Sequence, residues 1–234
     1  MKHLTRNIIA MVMLVCLCFS SVLPVYAAEV DKPRNEPASA DERPLSSSVW
    51  IEDRIEEIET IEVDGKTIVT KVPNFYQNYY YYSYIPYSQG TLGTSGCGIT
   101  CISMVATYVL DNPEITPDIL AMDYGTRPGS NIDRMQWAAE DWGIPYEKTW
   151  NWSTVIESLQ EGKVVIVLVN PNTKFTTIGH FIVLTGISED GRVFVNDPNY
   201  YNYSRFLGDF QNGFDQNDIT CGFSGAWIFE KTTD

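Results

Sequence analysis

The sequence predicts an α+β fold in which a helix that carries a cysteine packs against an antiparallel sheet. Three observations lead there: apolar residues recur at helical spacing in the first half of the folded region, short β-rich runs follow in the second half, and turn residues separate those runs. With 234 residues, 44% hydrophobic and 20% charged, the composition excludes collagen-like, coiled-coil and wholly disordered classes.

The N-terminus has the pattern of a secretory signal peptide over residues 1–27. Lys2 and Arg6 precede an apolar run over Ile8–Leu23, and Val25-Tyr26-Ala27 offers a cleavage site. The run is short for a stable membrane span, so we expect cleavage, export to the cell exterior and no span in the mature chain. An uncleaved anchor is the alternative.

Removal of this segment leaves 14 basic against 30 acidic residues, a net charge of −16. So acidic a chain repels polyanions, which excludes nucleic acid as an expected partner. One histidine, His180, remains beside three cysteines, Cys97, Cys101 and Cys221. Because three is odd, at least one thiol has no partner within the chain in an oxidising exterior.

Two segments precede the predicted domain, which we place at residues 72–234. Residues 28–48 are rich in proline and charge, which predicts a disordered linker. Residues 49–71 are acidic and rich in isoleucine, and Asp64-Gly65 between two β-rich runs predicts a hairpin-like extension. Its first part, IEDRIEEI, fits a short helix as well. Its acidic side chains form either a solvated face or a segment that docks on the domain.

Helices are predicted first along the domain. Gly93-Thr94-Ser95-Gly96 leads into CGITCISMVATYVL, whose apolar residues share a helical face. Two more helices are predicted by NIDRMQWAAEDWG, closed by Gly143, and by STVIESLQEG, where Thr154 and Glu157 have capping-box spacing. The tyrosine-rich stretch NYYYYSYIPY before them either lines a substrate cleft or packs a loop against the domain.

Strands are predicted afterwards. The β-rich runs are KVVIVLVN, HFIVLTGI, RVFVND and GAWIFE, with Asp190-Gly191 as a turn between the second and the third.

The scarce reactive residues fall at the ends of these elements. Cys97 stands between Gly96 and Gly98 at a helix start, where free amides and partial positive charge favour a thiolate. His180 begins a strand and can share a proton with a thiol near neutral pH. Asp197 ends the neighbouring strand, where a carboxylate would fix the imidazole tautomer. The order Cys, His, Asp is typical of papain-like nucleophilic catalysis.

The segments around these residues resemble signature segments of the C39-like cysteine peptidases, a papain-like family of secreted bacterial proteins. They are VPNFYQ, GTLGTSGCGIT, GHFIVLTGI and VFVNDPN, and the resemblance covers residues 72–230 approximately. It implies a papain-like fold with Cys97 as nucleophile, His180 as general base and Asp197 as orienting acid.

The resemblance also implies a glutamine that donates its amide to the oxyanion. Gln77 matches the family segment VPNFYQ, whereas Gln89 lies nearer the usual spacing from the cysteine; we favour Gln77. Ile99-Thr100 stands where the family has Pro-Thr, which should matter little because this site only begins the helix.

Metal binding is a competing interpretation. The three cysteines and His180 would supply a Cys₃His zinc set, but C-x₃-C lacks the usual knuckle spacing, and the aspartates of LGDFQNGFDQND fit no calcium loop. We therefore expect no metal and no cofactor. Cys101 and Cys221 are expected to be small hydrophobes or a mutual disulfide.

The sequence thus predicts a secreted, monomeric cysteine peptidase that hydrolyses amide bonds of proteins or peptides through a thioester on Cys97. One alternative is a peptidoglycan amidase or endopeptidase that cuts cell-wall peptide. Another is a catalytically silent binding module on the same fold, against which the complete Cys, His and Asp set weighs.

Overall fold

The computed structural model describes residues 67–231. The predicted signal peptide, the linker and most of the acidic extension lie outside these residues. The elements in chain order are β1 (Ile68–Val69), α1 (Tyr80–Ser83), β2 (Pro86–Tyr87), β3 (Gly90–Thr91), α2 (Leu92–Ser95), α3 (Cys97–Val109), α4 (Pro117–Tyr124), α5 (Asn131–Asp141), β4 (Tyr146–Thr149), α6 (Trp152–Gln160), β5 (Val164–Val169), β6 (His180–Ile187), β7 (Val193–Asn196), α7 (Tyr200–Arg205), α8 (Leu207–Asn212), α9 (Gln216–Thr220) and β8 (Phe223–Phe229).

The main sheet is antiparallel and has the order β1-β6-β5-β8-β4, with β7 also paired to β6. The four predicted β-rich runs form β5, β6, β7 and β8. The turn between β6 and β7 falls where the sequence predicts it, at Asp190-Gly191, and Gly191 takes the left-handed φ of 83° that glycine tolerates.

Both faces of the central strands are buried, since successive side chains of a strand point to opposite faces. Ile166, Phe181 and Val183 pack in the core that contains α3. Val167 and Ile182 pack on the other face with apolar side chains of α6. The predicted α+β fold, with the cysteine-bearing helix on an antiparallel sheet, is confirmed.

The predicted helices form, with one correction at a boundary. Helix α3 begins at Cys97, and α5 begins after a capping box between Ser130 and Asp133. Helix α6 does not begin at the predicted capping box of Thr154. Asn151 caps it instead, because its side chain accepts the Ser153 N–H at 3.0 Å. Within residues 67–231, no helix combines the length and apolar character that crossing a bilayer requires.

The last residues of the predicted extension belong to the sheet. Ile68 and Val69 pair with Ile187 and Gly186 of β6. A Cβ on Gly186 would lie 2.1 Å from the Ile68 carbonyl oxygen, so a glycine there lets β1 approach. The predicted turn at Asp64-Gly65 and the run before it lie outside the described residues.

The tyrosine-rich stretch folds into α1 and the small β2–β3 hairpin, neither of which the sequence predicts. Tyr82 and Tyr87 are buried in the core, whereas Tyr80 and Tyr84 are 41% and 68% exposed. The stretch therefore packs against the domain on one side and presents rings to solvent on the other.

Candidate active site

Cys97 is placed by a tight corner between two helices. Helix α2 ends at Ser95, Gly96 follows, and α3 begins at once with Cys97. A Cβ on Gly96 would lie 2.5 Å from the carbonyl oxygen of Leu92, which is closer than atoms can approach. The glycine before the cysteine thus permits the corner that sets the sulfur at the first position of α3, where backbone amides lack helical acceptors.

His180 and Asp197 come together because β6 and β7 are neighbours in the sheet. His180 is the first residue of β6, and Asp197 directly follows β7. His180 Nε2 lies 2.7 Å from Asp197 Oδ1, and both side chains are buried. With Nε2 bound to the carboxylate, Nδ1 is the ring nitrogen left to exchange a proton with a thiol.

Cys97 completes this cluster, since its thiol lies within interaction range of His180, which lowers the pKa of that thiol. The structure thus brings the three residues predicted for catalysis to one place. Only 9% of Cys97 is exposed, so the thiol is largely removed from solvent. The backbone amides of Gly98 and Phe181 also lower the pKa of the thiol.

In this cluster, each of Cys97 and His180 shifts the pKa of the other toward its charged form. Burial opposes the thiolate, but the hydrogen bond and charge of His180 outweigh it and lower the pKa of Cys97. Burial likewise opposes the imidazolium, but Asp197, together with Cys97, raises the pKa of His180 to about 10. Both shifts favour a thiolate beside an imidazolium, and the thiolate is the form in which a cysteine is nucleophilic.

The other two cysteines of the described chain take no part in this pair. Cys101 lies one turn along α3, fully buried, and burial raises its pKa well above the usual range. Cys221 is exposed at the end of α9. Both are free thiols, so of the two predicted states the structure has Cys101 as a buried hydrophobe and has no disulfide between them. Among residues 67–231, no group of three His, Cys, Asp or Glu side chains converges to hold a metal.

The two candidate glutamines lie in different surroundings. Gln77 is buried; its backbone N–H donates to Pro198 O at 2.8 Å, and its Nε2 donates to Gly93 O at 2.9 Å. These bonds attach it to the segment after Asp197 and to the corner before Cys97. Gln89 is exposed in the turn between β2 and β3. Of the two glutamines, Gln77 is thus the one bonded to the segments that carry Asp197 and Cys97.

Three asparagines near the cluster were missed from sequence. Asn131, the first residue of α5, donates to Ser95 O at 3.0 Å and so holds the corner before Cys97. Asn199 N–H donates to Asp197 Oδ1 at 2.7 Å, and Asn202 Nδ2 donates to Asp197 Oδ2 at 2.8 Å. The run NDPNYYN contains two of them, but asparagines after a proline are typical of a surface turn, which hides their contact with the acid.

Comparison with known proteins shows the family of the chain. Residues 69–217, more than half of the chain, match the family model described as the Peptidase C39 like family. The chain belongs to this family, as the sequence resemblance predicts, and has its papain-like fold. A search of curated proteins found no match.

Solved structures with a similar fold include two bacterial proteins. One, from Bacillus anthracis, is described as a C39-like peptidase; it is 15% identical, with 73% of this chain and 100% of that chain covered and a TM-score of 0.42. Another is the peptidase domain of Streptococcus ComA, a bifunctional ABC transporter involved in quorum sensing; it is 16% identical, with 64% and 99% covered and a TM-score of 0.46.

Proposed function

We propose that this protein is a cysteine peptidase in which Cys97 attacks the carbonyl carbon of a peptide bond. The observation that carries the proposal is the buried cluster in which His180 is bonded to Asp197 and lies within interaction range of Cys97 at the start of α3. Membership of the family is consistent with this activity. The thiolate is the attacking species, and the lowered pKa of Cys97 favours its formation.

His180 supplies the proton transfers. As the imidazolium it protonates the leaving amine when the tetrahedral adduct on Cys97 collapses to a thioester. It then removes a proton from water, which hydrolyses the thioester and releases the thiolate. Asp197, bound to Nε2, keeps Nδ1 directed at the reacting atoms and stabilises the charged ring.

The oxyanion of the tetrahedral adduct forms beside the N-terminus of α3. The backbone N–H of Cys97 and the side-chain amide of Gln77 are its proposed donors. Gln77 Nε2 carries two hydrogens, and the bond of one to Gly93 O fixes the orientation of the amide. The other hydrogen remains for the substrate.

The reaction fits a peptide substrate that reaches the site after export, since the predicted signal peptide directs the chain out of the cell. The predicted monomeric state and the predicted domain limits stay predictions. A test compares the full chain with its Cys97→Ala variant on casein and on purified bacterial cell wall, with new amino termini as the readout.

We expect the full chain to release peptides from casein and Cys97→Ala to release none. Gln89→Ala, altered in the exposed turn, is the matched control and should retain the activity. Release from cell wall alone would favour the amidase or endopeptidase alternative. Equal release by the full chain and Cys97→Ala would contradict the proposal.

A further inference from the structure

The carboxylate of Asp197 is held on both of its oxygens. Oδ1 accepts from His180 Nε2 and from the Asn199 N–H, each at 2.7 Å. Oδ2 accepts from Asn202 Nδ2 at 2.8 Å. Asp197 is 0% exposed, so water does not replace a partner that is lost. The orientation of this carboxylate therefore depends on its protein donors.

The amide of Asn202 is fixed in turn. Its Nδ2 also donates to Phe175 O at 2.7 Å, so both hydrogens are committed, and both acceptors are oxygens. A rotated amide would set its own oxygen against those two oxygens, so this orientation is the one the surroundings accept. Phe175 lies on the segment before β6 and packs against Phe214 with ring centroids 4.9 Å apart, which anchors its carbonyl.

The local backbone explains how Asn202 reaches the acid. Asn199 caps α7, and Asn202 is the third residue of that helix. Side chains in a helix tilt toward its N-terminus, so the third residue points back over the segment where Asp197 stands. Asn202 is 8% exposed, and both hydrogens of its amide are used on Asp197 and Phe175.

We propose that Asn202 is a positioning residue that acts through Asp197: its amide holds the carboxylate in the orientation that the His180 imidazole requires. The inference rests on the proposed function. A hydrogen bond to a charged group contributes enough that its loss should lower kcat by about 10- to 100-fold. KM should change little, because Asn202 lies behind the acid.

Two variants separate positioning from a purely structural role. Asn202→Ala removes the donor at every pH. Asn202→Asp keeps the shape but puts a second carboxyl group beside Asp197, and the two hold one proton between them. While that proton is present, it replaces the lost donor. When it leaves as the pH rises, repulsion turns the Asp197 carboxylate away.

The other titratable side chains that act on this pair are Cys97 and Cys101 of α3. Cys101 stays a neutral thiol because burial raises its pKa, so it adds no charge over the range of the test.

The experiment uses the full chain with His3→Gln, which leaves His180 as its one histidine. Imidazole ¹⁵N NMR then reports the protonation of His180 without overlap, and iodoacetamide labelling of the Cys97 peptide against pH reports the thiolate. Ser204→Ala, at an exposed residue of the same helix, is the matched control. Circular dichroism verifies that each variant is folded.

We expect Asn202→Ala to slow labelling of Cys97 by about 10-fold or more and to lower the pKa of His180. In Asn202→Asp, the ¹⁵N signals should show His180 losing its proton at a lower pH than in the unmodified chain, and Ser204→Ala should behave as the unmodified chain. Unchanged rates and pH profiles in both Asn202 variants would overturn the inference alone. A Cys97 that reacts no faster than free cysteine in the unmodified chain would overturn the proposed function.

Discussion

Substitution of Asp197 by asparagine should remove the charge that keeps His180 protonated. His180 is 7% exposed, and its burial lowers the pKa, whereas Asp197 is the main group that raises it to about 10. An amide at this position keeps the size of the side chain but not its charge. With burial no longer outweighed, the pKa of His180 should fall to its ordinary value of 6.5 or below.

The size of the effect follows from these values. At pH 7.5, His180 in the unmodified protein is charged almost completely. With a pKa of 6.5 or less, at most about a tenth of the molecules carry an imidazolium at that pH. Since the thiolate of Cys97 depends on that charge, we expect iodoacetamide labelling at pH 7.5 to slow by about tenfold or more. Peptide hydrolysis also needs the correct tautomer and should fall by about 10²- to 10⁴-fold.

The assay is the labelling rate of the Cys97 peptide, measured by mass spectrometry between pH 5 and 9 approximately. Asp190→Asn is the matched control, because Asp190 is an exposed carboxylate in the turn that joins the same two strands. The reasoning is refuted if Asp197→Asn and Asp190→Asn give the same labelling profile.

Three other predictions follow from the geometry. Gly96→Ala should lower the free energy of unfolding by about 1–3 kcal/mol, because its Cβ overlaps the preceding helix. Gly179→Ala, with open space around its Cβ, is the control and should change the thermal unfolding midpoint little. Equal midpoints for these two variants would contradict this account. Gln77→Ala should reduce kcat by about 10²- to 10³-fold, whereas Gln89→Ala should retain the kcat of the unmodified chain; steady-state kinetics on casein measures both. A large loss of kcat in Gln89→Ala and none in Gln77→Ala would assign the oxyanion role to Gln89. The pKa of His180 near 10 should put the alkaline fall of kcat/KM near pH 10. The stabilisation of the fold that comes from this raised pKa is complete below about pH 6.5 and is lost as the pH rises through about 10. A fall of kcat/KM as the pH rises through about 6.5 would contradict the assignment of the alkaline fall to a His180 of raised pKa.

The parts of the fold that were predictable have a strong pattern in their apolar residues. Strands β5 and β6 are buried on both faces and form near-continuous apolar runs, and the apolar residues of α3 recur at helical spacing. Strand β4 has the sequence YEKT and a half-exposed pattern at the edge of the sheet. Its place depends on pairing with β8, which no local pattern in the sequence reveals.

The boundary of α6 shows a similar limit. Thr154 and Glu157 have the spacing of a capping box, but Asn151 begins the helix three residues earlier. Both patterns are chemically sound, and the choice depends on where Trp152 packs. Its ring contacts Phe223 of β8 with centroids 5.4 Å apart, and its Nε1 donates to Gln216 Oε1 at 2.8 Å. These tertiary contacts stabilise Trp152 in the first turn of α6, so the helix begins at Trp152.

The location of the candidate site was predictable because its residues are rare. Cys97 stands between glycines at a helix start, His180 begins a strand, and Asp197 ends the next one, so adjacency of two strands was enough to join the last two. Asn202 was not predictable, since it reaches Asp197 only through the path of a short helix in an asparagine- and tyrosine-rich segment.

The most direct measurement is the mass of the full chain after treatment with E-64, an epoxide that alkylates activated thiols in cysteine peptidases. The account predicts one adduct, located on the Cys97 peptide, and no adduct in Cys97→Ala. An adduct confined to the exposed Cys221, or equal labelling of the two chains, would contradict it.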